Sequence, residues 1–204
     1  MDWRLLRDFK VTHIKKETNV LKQQMLKIKS LLNKLTEKTY QKNKEEILKI
    51  IKLLSTDEQS LKMAGSIIFN IASTNKFYSR LYAKLYHDLI SNLSILQNIC
   101  LENFNSFLEL FQHIKFISPS DDYLKYCEIN KINEKRRAIA CFFVNLMLEK
   151  NINIDIILDL ILSLQAQMMS LIDVDGKKEI VEELSKTIKI IIIPGKHLLC
   201  KNTE

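Results

Sequence analysis

Four histidines, four cysteines, a pair of adjacent aspartates and a pair of adjacent arginines are the residues of this 204-residue chain from which chemistry could be built. His13, His87, His113 and His197 are scattered, and the sequence sets none of them beside a nucleophile or a second ligand. Cys100, Cys127, Cys141 and Cys200 form no C-x-x-C pair, which argues against a zinc ribbon or a redox dithiol and for reduced packing residues. Asp121-Asp122 follows Ser118-Pro119, where helix capping explains it better than a metal pair. No H-E-x-x-H, G-x-S-x-G or phosphate-cradling glycine loop occurs, so the expected protein is not an enzyme and needs neither metal nor cofactor. Arg136-Arg137 remains, a pair suited to grip carboxylates in fork geometry.

The elements that position these residues are helical. Three glycines and two prolines leave few tight turns, and apolar residues recur at spacings of three and four through most of the chain. The stretch Asn75–Ile90 carries two apolar columns, Phe77/Leu81/Leu85/Leu89 and Tyr78/Tyr82/Tyr86, broad enough to touch two neighbouring helices; it reads as the helix around which the rest is organised. Thr36 is placed as the N-cap of a second helix, and Thr56-Asp-Glu-Gln59 as a capping box opening a third. Residues 121–130 read as a helical connector leading into a helix over 133–149, and the last helix is expected over about 177–191; the stretch 187–195, whose β-branched residues also suit a strand, is kept helical because no partner strand is evident. The predicted fold is all-α, a solenoid of about five antiparallel HEAT-like helix pairs. The division is a basic and aromatic arm over residues 1–16, a helical domain over 17–193 and a tail over 194–204.

Charge is uneven. Through Leu53 there are 14 Lys and Arg against 6 Asp and Glu, a net of +8, whereas the remainder carries 17 against 18. A basic arm and first helix, with Lys15, Lys16, Lys22, Lys27 and Lys29, suggest attraction to RNA or to an acidic protein face, or else a lysine-rich solvated surface. With no apolar run of signal-peptide length and no run of eighteen apolar residues, the expectation is a cytoplasmic protein without a membrane partner.

Three segments resemble one family. Ser30-Leu-Leu-Asn-Lys-Leu-Thr36, then Asp57-Glu-Gln-Ser-Leu-Lys62 with Ile67-Ile-Phe-Asn-Ile-Ala72, and then Lys135-Arg-Arg-Ala-Ile-Ala-Cys-Phe-Phe-Val-Asn-Leu-Met147 are similar, in order, to the middle domain of eukaryotic translation initiation factor 4-gamma. The resemblance spans roughly residues 26–192. It implies a translation-initiation scaffold that binds and activates a DEAD-box RNA helicase and touches mRNA, with cap-binding protein held by regions outside this chain. A cap-binding, splicing or decay factor of the same domain type is the alternative, because fold does not fix function. Carried over residue by residue, Asn33, Lys34, Arg136 and Arg137 are the helicase-contact candidates, with Leu32 and Leu35 more in keeping with core. Trp3 either anchors on the helicase or folds back on its own domain.

Overall fold

The computed structural model describes residues 19–112 and 114–200. Among them are eight α-helices and no strand: α1 (Val20–Asn33), α2 (Tyr40–Leu54), α3 (Glu58–Thr74), α4 (Ser79–Ile90), α5 (Ile95–Gln112), α6 (Tyr123–Leu148), α7 (Ile154–Leu171) and α8 (Lys178–Leu199). The fold is all-α, as the periodicity dictates. The expectation was of about five helix pairs; the described residues hold eight helices.

Packing runs between neighbours in the chain. α1 packs on α2 and α3, α2 on α3 and α4, α3 on α4, α5 and α6, α4 on α5 and α6, and α6 on α5, α7 and α8. Helices α7 and α8 close the far end against each other. Helix α4 packs on helices before and after it, α2, α3, α5 and α6, and α3 and α6 do the same with one further helix each. Gly65 lets α3 approach α5 closely, since a Cβ there would lie 2.5 Å from Ile99 Cδ1 and 2.9 Å from Leu96 Cδ2. At the centre, Phe69, Tyr86, Phe104, Phe142 and Phe143 meet edge to face or tilted, Phe104 and Phe143 with centroids 4.8 Å apart.

Several local expectations shift. The second column of α4 holds for Tyr82 and Tyr86, whose hydroxyls donate to the Leu32 and Leu96 carbonyls at 2.9 and 2.8 Å. Phe77 and Tyr78 leave that stripe: Asn75 Oδ1 accepts the Tyr78 N–H, the helix begins only at Ser79, and Phe77 is 86% exposed. The cap of α3 is Asp57, not Thr56; its carboxylate takes the Gln59 and Ser60 amides at 3.2 Å each and the Ser60 hydroxyl. Thr36 caps nothing as helix N-cap, since α2 starts at Tyr40; it instead shares a hydroxyl network with Thr39 in the turn.

Residues 123–148 form one 26-residue helix, not a connector and a helix, and Asp122 caps it by accepting the Lys125 amide. No Gly or Pro interrupts this span, so the helix propagates even where Tyr123 and Leu124 stay exposed. The β-branched run 187–193 is helical, and α8 continues through Pro194 to Leu199, across the boundary drawn at residue 193. Gly195 is buried there, where a Cβ would stand 3.3 Å from Met147 Cε. Helix α7, 18 residues with mean hydropathy 1.5, is long and apolar enough to cross a membrane, although it carries Asp155 and Asp159.

Candidate binding surfaces

The Leu-Asn-Lys-Leu-Thr run separates into core and surface. Leu32 and Leu35 are buried, and the turn between α1 and α2 lifts Asn33 and Lys34 into solvent. The Lys34 amide closes the helix by donating to the Ser30 carbonyl at 3.2 Å, the Leu35 amide donates to the Leu32 carbonyl at 3.0 Å, and the Lys34 carbonyl accepts the Thr39 hydroxyl at 2.7 Å. Asn43 Nδ2 reaches the Leu31 carbonyl at 2.9 Å from α2. Orphan carbonyls of the α1 terminus are thus satisfied by side chains, which holds the turn in one shape.

Behind this turn, Tyr40, Lys44, Lys84 and Asp88 tie α2 to α4. The Tyr40 hydroxyl and Lys44 Nζ both donate to Asp88 Oδ2 at 2.9 Å, and the Lys84 and Lys44 ammonium groups stand 5.1 and 5.6 Å from the Tyr40 ring centre. Burial, then the neighbouring Asp88, pushes the Tyr40 phenol far above its ordinary range, so it remains a donor. Burial works to raise the Asp88 carboxyl, but the hydrogen bonds from Lys44 and Tyr40 outweigh it and hold Asp88 below the usual aspartate value.

Arg136 and Arg137 face inward. Helix α6 begins at Tyr123, so they lie in its middle. Arg136 is 2% exposed; its Nε donates to the Leu110 carbonyl at 2.9 Å, its Nη1 to Asn133 Oδ1 at 2.6 Å, and its guanidinium lies over Phe111. Arg137 bonds Glu183 Oε2 and Glu134 Oε1. Arg136, sealed among α5, α6 and α8, is not offered to a partner's carboxylates, which corrects its reading as a helicase contact, whereas Arg137 stays part-exposed and already holds two carboxylates. Burial pushes the Glu183 carboxyl up, opposed by Arg137 and then Arg136, and burial likewise pulls the Arg136 guanidinium down.

The lysines of α1 divide. Lys27 spans to α2 as a 3.0 Å pair with Glu46, whereas Lys22 and Lys29, two turns apart on one side of the helix, are exposed. Trp3, Lys15 and Lys16 lie outside the described residues.

A second surface was not visible as a pattern. Lys76, Arg137, Lys186, Lys189, Ile190 and Glu134 line one depression where the α3–α4 turn meets α6 and α8. Beside Lys76 stand Phe77 and Tyr78, exposed and edge to face with centroids 4.8 Å apart. Glu134 occupies Arg137 and Glu182 occupies Lys186 at 3.3 Å; among the described residues Lys76 and Lys189 have no ion-pair partner. The only signal in the sequence was Lys-Phe-Tyr at a break between helices, which read as the start of an apolar stripe.

No protein-family model matches the chain, and no curated protein or solved structure matches it either.

Proposed function

We propose that this protein is a non-enzymatic α-solenoid scaffold of the initiation-factor 4-gamma middle-domain type, which binds a DEAD-box RNA helicase in the cytoplasm and speeds its turnover, with RNA held alongside. The observation that carries the reading is the Leu-Asn-Lys-Leu-Thr turn. Its leucines are core, and its Asn33 and Lys34 are presented at the edge of the molecule on a turn fixed by Thr36, Thr39 and Asn43. Packing between helices close to one another in the chain supports a repeat stack, the architecture such a scaffold uses. It would act by binding one arrangement of the helicase lobes better than another, which needs no catalytic group of its own.

The RNA-dependent ATPase rate of a translation-initiation helicase, with and without the protein, tests this. Stimulation is expected, and Asn33→Ala/Lys34→Glu is expected to abolish it while thermal unfolding stays unchanged. Absence of binding and of any change in rate would overturn the scaffold reading.

A second reading, an RNA-processing solenoid with no helicase partner, is favoured by the exposed Phe77–Tyr78 pair that follows Lys76, a residue of the basic depression, since aromatics near cations hold single strands by stacking and phosphate attraction. Salt-dependent RNA binding without helicase binding would select it.

A further inference from the structure

The first helices of successive pairs form a layer in which α1 packs on α3 and α3 on α5. The next step is different. Between α5 and α7 lies a cleft of about 480 Å³, lined by Phe104, Leu108, Phe111, Ile156, Asp159 and Leu160, with Ser163 and Gln167 at its edge. Gln167 Nε2 reaches across to the Phe111 carbonyl at 2.9 Å. The cleft holds room for more than one large side chain, and apolar walls of this kind favour an apolar occupant.

Charge narrows the occupant. The one charged residue lining the cleft is Asp159, and the two helices that form it, α5 and α7, contain Glu102, Glu109, Asp155 and Asp159 but not one Lys or Arg, in a chain of net charge +7. A segment that fills this cleft should therefore be apolar on one side and basic on the other. The chain has one such segment outside the described residues: positions 1–18 carry Trp3, Leu5, Leu6, Phe9, Val11 and Ile14 interleaved with Arg4, Arg7, Lys10, Lys15 and Lys16 against Asp2, Asp8 and Glu17.

Reach is sufficient. Adjacent packed helices lie about 8–10 Å apart, so the cleft stands roughly 25 Å from α1, where this segment joins at Asn19. Eighteen residues span about 27 Å as a helix and roughly 60 Å extended.

We propose that residues 1–18 dock as a basic, aromatic strap in the α5–α7 cleft of their own chain, with Trp3 or Phe9 among the apolar walls and Arg4, Arg7 or Lys10 beside Asp159. The strap adds apolar packing between α5 and α7 to the single Gln167–Phe111 hydrogen bond named above, and it withholds Trp3 from any outside partner. It goes beyond the scaffold reading, and its test uses neither helicase nor RNA, so either can fail without the other.

Trp3 is the sole tryptophan, which makes the intact chain its own reporter. Its emission and its quenching by acrylamide are measured in the full chain at low protein concentration, and again in Asp159→Lys/Ser163→Arg; both positions are exposed, and circular dichroism with thermal unfolding checks the fold. Expected is a blue-shifted, shielded Trp3 in the parent chain, a red shift with several-fold stronger quenching in the variant, and partial release by salt. Solvent-like emission in the parent overturns the proposal. So does shielded emission indifferent to the cleft substitutions, which would place Trp3 elsewhere, and so does emission that depends on protein concentration, which would assign the cleft to the strap of a second copy.

Discussion

Arg136 of α6 and Glu183 of α8 face each other across the helix interface with Nη1 and Oε1 3.6 Å apart, both nearly sealed from solvent, while Arg137 binds the other oxygen of the same carboxylate. Two cations therefore share one buried anion. The arrangement explains why a pair of arginines can sit in an apolar stretch: the Leu110 carbonyl, Asn133 and Glu183 satisfy them from within. Removing the shared anion leaves two cations without it, so Glu183→Ala is expected to destabilise by about 3–5 kcal/mol, whereas Arg136→Ala leaves Glu183 paired with Arg137 and should cost less. Arg136→Met with Glu183→Leu should recover most of that loss, and urea unfolding of the singles and the double measures the coupling.

Asp88 gives the acid limb of stability a defined sign. Its folded-state pKa lies below the unfolded one, so its contribution is fully present above the ordinary aspartate value of about 3.9 and is lost as pH falls through the folded value. Asp88→Asn should flatten stability against pH on that side. Tyr40→Phe, which removes one donor to the carboxylate, should cost about 1.5–3 kcal/mol at neutral pH and weaken the same dependence. Melting temperature recorded across acid pH for the three proteins is the check.

The position of the α3 cap can be read from two substitutions. Asp57→Ala is expected to cost about 1 kcal/mol, because it frees the Gln59 and Ser60 amides. Thr56→Ala should change the melting temperature little. The reverse order would return the cap to Thr56.

For the basic and aromatic depression, Phe77→Ala should weaken single-stranded RNA binding by about 1–3 kcal/mol if a base stacks there. Lys186→Glu/Lys189→Glu should lower affinity across sequences and reduce the slope of log affinity against log salt. Filter binding or fluorescence anisotropy at two or more salt concentrations distinguishes the two effects.

Legibility differed from one residue to the next. Leu32 and Leu35 were readable as core from their helical spacing, and Asn33 and Lys34 as surface, because that spacing assigns each side chain a face before any partner is known. Phe77 and Tyr78 followed the same spacing and were misplaced. Asn75 captures the Tyr78 amide and delays the helix, and a stripe means nothing outside its helix. The connector at 121–130 failed for the converse reason: nothing in it stops a helix, and the exposed first turns of α6 propagate from the buried half.

The sequence by itself determined the class and the elements: few glycines and prolines, with apolar spacing of three and four, commit the chain to helices, and caps such as Asn19, Asp57 and Asp122 start them locally. Tertiary structure alone decided which charged residues are spent. Arg136 and Arg137 look like any cationic pair along the chain, and only the approach of Leu110 from α5 and of Glu183, forty-six residues beyond Arg137, shows that they are engaged within the fold. The same holds for the gathering of Lys76, Lys186 and Lys189 and for the cleft between α5 and α7. Local spacing carries information over a helical turn or two, whereas ion pairing, depressions and clefts depend on distances between residues remote in sequence, which packing alone sets.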